Sequence, residues 1–197
     1  MKTIILATNN TNKVREFRAM LAGGDIEVLP LKEAGIDADI EETGNTFEEN
    51  ALIKARAICK MTGKPALADD SGLCVDYLDG APGVYSSRFM GEDTPYSEKN
   101  AAIIEKLSGV DGDERTAAFK CCMALVMPDG REFVTSGEMK GIIADKPAGE
   151  NGFGYDPIVF LPEYGRTSAQ LSPDEKNAIS HRGEALRAMV DIIRDNI

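Results

Sequence analysis

The chain has 197 residues, of which 43% are hydrophobic and 28% are charged, enough apolar material for one domain spanning residues 1–197. Its 33 acidic and 22 basic side chains give a formal net charge of −11, which makes a nucleic acid polymer an unfavourable partner. No apolar run approaches the ~20 residues of a membrane span, and the N-terminal apolar stretch is too short for a signal peptide, so we expect a cytoplasmic protein with no membrane partner.

The N-terminal part of the sequence alternates short apolar runs with an amphipathic segment. Residues 3–7 form an apolar run that predicts a strand buried on both faces. After a polar turn, apolar side chains at helical spacing predict a helix from about Lys13 to Leu21, which Gly23-Gly24 would end. Residues 26–31 predict a second strand. This alternation is typical of an α/β fold.

The longest helix in the first half lies between two terminal signals. Thr46 and Glu49 are spaced as a capping box at its start, and Gly63-Lys64-Pro65 marks its end. Residues 66–68 predict a short strand that carries the polar segment 69–72 at its end. We therefore expect the strand to stop before that polar segment, and the chain to extend again from residue 73.

The second half of the sequence predicts a hairpin. Residues 116–127 and 131–144 are two long extended segments joined by Asp129-Gly130. A hairpin cannot belong to a purely parallel sheet, so we predict an α/β fold with a mixed β-sheet flanked by helices. The remaining elements are an extended segment at 73–78, a helix opened by Thr94-Pro95, a strand at 157–161, a helix capped by Ser172 and Glu175, and a final helix that buries Leu186, Met189, Val190 and Ile193.

The polar turn between the first strand and the first helix is a candidate phosphate site. Backbone N–H groups and the helix dipole at a helix N-terminus favour phosphate, and Lys13 adds a positive charge. The segment Thr8–Lys13 lacks the glycines of a Walker loop. An ordinary polar turn that binds nothing is the alternative.

Lys54 and the acidic pair are the next candidates. Lys54 lies in the middle of an apolar helical stripe, so it either extends to the edge of that stripe or directs a cation into a pocket. Asp69 and Asp70 suit a hard cation such as Mg²⁺ or a general base, and the alternative is an Asx-turn. The other members of the stripe are Phe47, Ala51, Ile58 and Met61.

Two further segments carry aromatic or basic side chains. The loop 149–156 combines three glycines with Phe153 and Tyr155, which suits stacking on a planar base, although the two rings could equally pack on the core. His181, the one histidine of the chain, precedes Arg182 at the start of the final helix. A histidine in such a position is more often packed or solvated than catalytic.

Together with two further stretches, these segments strongly resemble the inosine/xanthosine triphosphate pyrophosphatase family, which removes deaminated purines from the nucleotide pool. The matching stretches follow the family order along nearly the whole chain, and together they are highly specific. Asn9 departs from the pattern, because bacterial members often have glycine there. The stretches are Ala7–Lys13, Glu41–Gly44, Thr46–Ala51 with Lys54-Ala55, Ala68–Leu73, Gly80–Ser86, Gly152–Pro157 and Ser180–Gly183.

The resemblance implies an activity, a cofactor and an assembly. The activity is hydrolysis of a non-standard purine nucleoside triphosphate (ITP, dITP or XTP) between the α and β phosphorus, giving a monophosphate and pyrophosphate. The cofactor is Mg²⁺ and the assembly is a homodimer. The implied active site lies in a cleft between two lobes of an elongated sheet.

The resemblance also implies roles for particular residues. Asp70 would be the catalytic proton acceptor, and Glu42 and Asp70 would bind the metal. Positive charge from Lys13, Lys54 and Mg²⁺ would offset the phosphate charge, which the acidic chain as a whole does not do. The residues that would bind substrate are Thr8, Asn9, Asn10, Thr11, Asn12, Lys13, Lys54, Ser71, Phe153, Gly154, Tyr155, Asp156, Lys176, His181 and Arg182.

Two other classes of function remain open at this point. A non-catalytic nucleotide sensor could use the same pocket, although the carboxylates of Glu42 and Asp70 argue against it. An enzyme for a different nucleotide, such as a Maf-like pyrimidine nucleotide pyrophosphatase, is the other alternative. The segment Ser180–Arg182 favours a purine.

Overall fold

The structure is a computed structural model that describes residues 2–21 and 26–197. The predicted helix stop at Gly23-Gly24 lies outside these residues. The strands are β1 (Lys2–Leu6), β2 (Ile26–Pro30), β3 (Ala66–Val75), β4 (Thr116–Val126), β5 (Glu132–Ile143), β6 (Val159–Leu161) and β7 (Arg166–Thr167). The helices are α1 (Thr11–Leu21), α2 (Phe47–Thr62), α3 (Tyr96–Lys106), α4 (Pro173–Ile179) and α5 (His181–Asn196).

The strands form one mixed sheet in the order β2-β1-β3-β4-β5-β6-β7. Strand β1 pairs in parallel with β2 and β3, whereas β6 pairs antiparallel with β5 and β7. A turn with a 2.9 Å hydrogen bond from Met127 N to Arg131 O joins β4 to β5, as the Asp129-Gly130 pair predicts. The predicted α/β fold, with a mixed β-sheet flanked by helices, is therefore confirmed.

The chain divides into two compact units. Unit 1 comprises Met1–Asp70, Cys121–Gly137 and Arg182–Ile197, and unit 2 comprises Ser71–Lys120 and Glu138–His181. The description as one domain, 1–197, with a cleft between two lobes stays a prediction. Among the described residues, no helix is both long enough and apolar enough to span a membrane.

Unit 1 has two hydrophobic clusters that use alternate residues of its strands. Ile4 and Leu6 of β1 belong to a cluster that includes residues of α1 and α5, whereas Ile5 between them belongs to a cluster that includes residues of α2. Successive side chains of a strand point to opposite faces of the sheet. Thus α1 and α5 cover one face in this unit, and α2 covers the other.

Unit 2 has a single large cluster of its own. Leu73 and Val75 of β3 pack in it with Ile103 and Leu107 from α3 and its C-terminal end. The cluster also contains Tyr155, from the glycine-rich loop. One ring of that loop is therefore fixed in a core.

Helix α2 confirms its predicted ends and corrects its predicted apolar stripe. The capping box of Thr46 and Glu49 is present, and Gly63 caps the C-terminus with a left-handed φ of 66°. Ala51 and Ile58 are buried, but Met61 is 59% exposed. Met61 lies in the last turn of the helix, beyond the part that packs on the sheet.

Strand β3 corrects the short strand expected at residues 66–68. The strand is ten residues long and passes directly through the acidic pair. The absence of a side chain at Gly72 lets Gly83 and Ser86 lie close against the strand, because an added Cβ would be 2.3 Å from Gly83 O and 2.4 Å from Ser86 Oγ. The polar residues are therefore not an Asx-turn but part of a strand, with Asp69 2% and Asp70 6% exposed.

Candidate active site

Strand β3 places its two adjacent carboxylates on opposite faces of the sheet. Leu67 packs in the cluster that includes α1 and α5, and Ala66 and Ala68 pack in the cluster that includes α2. By the same alternation, Asp69 faces α1 and α5, and Asp70 faces α2. Two residues that are neighbours in sequence therefore have different partners.

Asp69 is the centre of a buried network of ion pairs. Its Oδ2 lies 2.9 Å from Lys13 Nζ of α1 and 3.3 Å from Arg182 Nε of α5. Arg182 also donates from Nη1 to a carboxylate oxygen of Glu16. The side chains of Asp69 and Arg182 are 0% and 2% exposed, so water screens these charges little.

The pKa of Asp69 reflects this network. Burial opposes ionisation, but the positive charges of Lys13, Arg182 and Lys54 outweigh it and hold the pKa of Asp69 well below its ordinary value. Asp69 is therefore ionised at neutral pH and ties α1 and α5 to β3.

Asp69→Asn is expected to lower the free energy of unfolding by about 3–5 kcal/mol at pH 7, because it leaves the buried Arg182 and the partly buried Lys13 without their shared counter-ion. Urea denaturation at pH 7 measures this change. The matched control is Glu33→Gln, which breaks an ion pair to Arg18 whose side chains are about half exposed, 47% and 50%. Such pairs contribute about 0–1 kcal/mol.

The stabilising effect of Asp69 also has a predicted pH dependence. Because the folded pKa lies below the unfolded one, the stabilisation is complete above ~4, the ordinary pKa of aspartate, and is lost as the pH falls further. The difference in unfolding free energy between the wild type and Asp69→Asn should therefore shrink below pH 4. A difference that stays constant down to pH 2 would contradict the ion-pair assignment.

Asp70 faces a second polar cluster, on the side of α2. Its Oδ2 accepts a 3.0 Å hydrogen bond from Asn50 Nδ2, and its Oδ1 lies 4.0 Å from Lys54 Nζ. Lys54 also donates to Glu42 Oε1 at 2.5 Å. Gly44 brings the segment of Glu42 against α2, because an added Cβ would lie 2.7 Å from Asn50 Oδ1.

The pKa values of this cluster differ from that of Asp69. Burial is the largest effect on Asp70 and raises its pKa; Glu42 raises it further, while Lys54 lowers it. Burial disfavours the charged form of Lys54, but Asp70, Asp69 and Glu42 together raise its pKa above the ordinary value. Lys54 is therefore a firmly charged ammonium beside a carboxylate that takes up a proton more readily than usual.

Glu42 and Asp70 suit a cation, since the Lys54 ammonium contacts both carboxylates. Mg²⁺ is commonly held by one or two carboxylates, with phosphate and water as its other ligands. Among residues 2–21 and 26–197, no three His, Cys, Asp or Glu side chains are grouped to hold a metal. A magnesium site here would therefore rest on these two carboxylates and on oxygens of the substrate.

The N-terminal turn is organised by its own side chains. Thr8 Oγ1 accepts from Asn10 N at 3.1 Å. Asn10 Oδ1 accepts from the amides of Asn12 and Lys13 at 3.0 and 3.2 Å, as a helix N-cap does. Helix α1 therefore begins at Thr11, two residues before the predicted start. The exposed residues of the turn are Asn9, Asn10 and Thr11.

In unit 2, Asp156 organises the glycine-rich loop. Its Oδ2 accepts from Phe153 N at 2.8 Å and from Lys176 Nζ at 2.7 Å, and its Oδ1 accepts from Ser168 Oγ at 2.8 Å. Lys176 Nζ also lies 5.1 Å from the centroid of the half-buried Phe153 ring. Gly152 leaves room for this carboxylate, since an added Cβ would lie 2.2 Å from Asp156 Oδ2.

The other residues of this loop pack differently from Phe153. Tyr155 is 3% exposed and donates from its hydroxyl to Ser86 O at 2.8 Å. Gly154 O accepts a 3.2 Å hydrogen bond from Asn100 Nδ2 of α3. Of the two rings, Tyr155 is therefore a core residue, and Phe153 is the one left partly accessible.

His181 and Ser71 complete the predicted residues of unit 2. His181 is 6% exposed and stacks on Phe119, with ring centroids 5.1 Å apart and ring planes 13° apart. Ser71 follows Asp70 in β3 and is partly buried. His181 is therefore a packed residue at the start of α5.

The structure groups the predicted residues of each unit. Unit 1 brings Lys13, Glu42, Lys54, Asp70 and Arg182 into two networks on either side of β3. Unit 2 brings Phe153, Asp156 and Lys176 together. The predicted roles of all these residues, and of the turn Thr8–Lys13, stay predictions.

Sequence reasoning missed Glu16 and Asn50, and it considered Asp69 only as one half of an acidic pair. Asp69 is adjacent in sequence to Asp70, the residue that the resemblance selects, and the sequence pattern alone did not distinguish the two carboxylates. Glu16 lies three residues after Lys13 on α1, a spacing that places both on one helix face and was a usable signal. Asn50 is 0% exposed, and only its place beside Ala51 in a matched stretch pointed to it.

Comparisons with known proteins agree along nearly the whole chain. The sequence model of the Ham1 family matches residues 4–192. The dITP/XTP pyrophosphatase of Geobacter sulfurreducens is 49% identical over 97% of this chain and 96% of that protein. The dITP/XTP pyrophosphatase of Escherichia coli O157:H7 is 46% identical over 99% of this chain and 100% of that protein.

Solved structures agree as well. A HAM1 protein from Coxiella burnetii superposes with a TM-score of 0.91 at 45% identity, covering 99% of this chain and 100% of that one. The Ham1 protein of Staphylococcus aureus gives a TM-score of 0.90 at 40% identity, with 100% of both chains covered.

Proposed function

Because the chain belongs to the Ham1 family, we propose that it hydrolyses the non-standard purine triphosphates ITP, dITP and XTP to the monophosphate and pyrophosphate. Similar proteins named dITP/XTP pyrophosphatase support the substrate class. The observation that carries the chemistry is the cluster in which Lys54 contacts the carboxylates of Glu42 and Asp70.

Asp70 is the proton acceptor for the attacking water in this proposal. Its raised pKa suits a group that takes up a proton during the reaction, and the hydrogen bond from Asn50 fixes the orientation of its carboxylate. Lys54 and Lys13 supply positive charge to the polyphosphate, which stabilises the charge that develops on the departing pyrophosphate.

Glu42 and Asp70 would hold Mg²⁺. The metal would supply Lewis-acid stabilisation of phosphate charge and lower the pKa of a bound water. We further propose a homodimer in the cytoplasm, as the family resemblance implies. Neither the dimer nor the cytoplasmic location is needed for the chemistry proposed here.

Phe153 is the candidate for stacking on the base. Its ring is half-buried, and the hydrogen bond from its amide to Asp156 holds it in place. Asp156 and Lys176 form an ion pair with each other. Their proposed role in substrate binding therefore includes holding the Phe153 ring in its orientation. Arg182 would recognise the purine through its donor groups, and His181 and Ser71 complete the proposed substrate residues.

With ITP as substrate, IMP and pyrophosphate are the expected primary products. Anion-exchange chromatography of the nucleotide, together with a coupled pyrophosphate assay, identifies both. Excess EDTA should abolish turnover and Mg²⁺ should restore it. Finding IDP and inorganic phosphate first would show that a different bond is broken.

A nucleotide panel separates the remaining alternatives. Binding of ITP without any turnover would favour a sensor, and preferred turnover of a modified pyrimidine triphosphate would favour a Maf-like enzyme. Preferential hydrolysis of ITP, dITP and XTP over ATP and GTP is the result we expect.

A further inference from the structure

A lysine ammonium already contacts the two carboxylates proposed for the metal. Lys54 Nζ lies 2.5 Å from Glu42 Oε1 and 4.0 Å from Asp70 Oδ1, and it donates a 2.8 Å hydrogen bond to the carbonyl oxygen of Asp69. The Lys54 side chain is only 12% exposed. The ammonium is therefore a largely desolvated cation with oxygen atoms around it, which is also the environment that a hard metal ion requires.

We propose that Lys54 acts as a resident cation which competes with the divalent metal for Glu42 and Asp70, so that the protein binds the metal tightly only when a polyphosphate draws Lys54 away. The proposal rests on the proposed function, because that function supplies both the metal and the polyphosphate. It adds to Lys54 a role in ordering the binding events.

Two physical effects make the ammonium and the metal mutually exclusive. First, Glu42 Oε1 accepts a 2.5 Å hydrogen bond from Lys54 Nζ. Because this charge-assisted hydrogen bond occupies a lone pair of the oxygen, the oxygen is a poorer metal ligand while the bond persists. Second, a dication near the same carboxylates would be repelled by the ammonium at short range, where screening by salt is weak.

A polyphosphate can remove this competition without rearranging the fold. Lys54 has a flexible side chain with three rotatable donors, so its ammonium can turn towards a new anion while helix α2 stays in place. A triphosphate carries several negative charges and would attract the ammonium strongly. Metal and nucleotide binding are then coupled, and by linkage each strengthens the other.

The test is a Mn²⁺ titration of the full-length protein without nucleotide. Binding is measured as the loss of the electron paramagnetic resonance signal of free Mn²⁺. Lys54→Met removes the charge and keeps an unbranched side chain that is one heavy atom shorter, and Lys54→Gln carries a donor for Asp69 O. The matched control is Lys60→Met, on the exposed part of the same helix, which changes the net charge equally. Circular dichroism establishes that each variant is folded.

We expect both Lys54 variants to bind Mn²⁺ with a Kd at least ~10-fold lower than the wild type, and Lys60→Met to match the wild type. An unchanged or higher Kd in the Lys54 variants would overturn the proposal, as would an equal gain in Lys60→Met. The proposed function fails separately: if the wild type releases no pyrophosphate from ITP while the Kd falls in the Lys54 variants, the competition stands and the activity does not.

Discussion

Asp70→Asn is expected to lower kcat for ITP by at least ~10³, since in the proposed mechanism Asp70 is both the general base and a metal ligand, and its loss would remove activation of the attacking water. Asparagine has nearly the same volume, so it can occupy the same place on β3 beside Asn50 and Lys54. What it lacks is the negative charge and the ability to accept a proton. The change is measured as steady-state kcat for pyrophosphate release with saturating ITP and Mg²⁺.

A stability measurement separates this catalytic loss from damage to the fold. Because burial raises the pKa of Asp70, its ionised form destabilises the folded state at neutral pH, and the neutral asparagine removes that cost. The melting temperature of Asp70→Asn should therefore equal or exceed that of the wild type. Asp113→Asn, at an exposed turn position, is the control and should leave both kcat and Tm unchanged. Near wild-type turnover by Asp70→Asn would remove Asp70 from the mechanism.

Arg182→Ala is expected to narrow the ratio of kcat/KM between ITP and ATP by about 10² or more. A guanidinium can only donate hydrogen bonds, so it can satisfy the O6 acceptor of hypoxanthine but opposes the N6 amino group of adenine. Sites that recognise a substrate through such bonds discriminate by ~10⁴ or more, because a mismatch leaves buried polar groups without partners. The ratio is measured with ITP and ATP on the same protein preparation.

The buried position of Arg182 determines how this experiment is controlled. Its removal also leaves Asp69 with one cation fewer, which should cost about 3–5 kcal/mol of unfolding free energy. A ratio of two substrates cancels any loss of folded protein. Arg194→Ala, on the exposed side of the same helix, is the control.

Phe153→Ala should lower kcat/KM for ITP and for ATP together, since stacking does not distinguish purines. An unchanged ITP-to-ATP ratio in Arg182→Ala would show that another residue recognises the base.

Local sequence signals predicted much of the fold because they act over a few residues. The capping boxes at Thr46 and Ser172 are present at the starts of α2 and α4. The turn at Asp129-Gly130 joins β4 to β5 as expected. The error at residues 69–72 has a different origin: two consecutive carboxylates favour a turn when judged alone, and only cations from distant helices make them tolerable inside a strand.

The candidate site was less predictable, because its partners are far apart in sequence. Arg182 contacts Asp69 across 113 residues, and no spacing rule relates them. The family resemblance named most of the site residues, but it did not say which of them bind each other. That Lys54 contacts Glu42 and that Asp156 binds Lys176 are facts of the three-dimensional arrangement alone.

The alternation of Asp69 and Asp70 along β3 makes the length of this segment as important as its composition. Strand β3 is tied to β1 through Ala66 and Leu67, four or fewer residues before the carboxylates. Inserting or deleting one residue between that anchor and Asp69 would turn the carboxylate of Asp69 towards α2 and that of Asp70 towards α1 and α5. A substitution changes one of these side chains at a time, whereas a change of one residue in length would exchange the positions of both carboxylates, the one that binds Lys13 and Arg182 and the one proposed as the base.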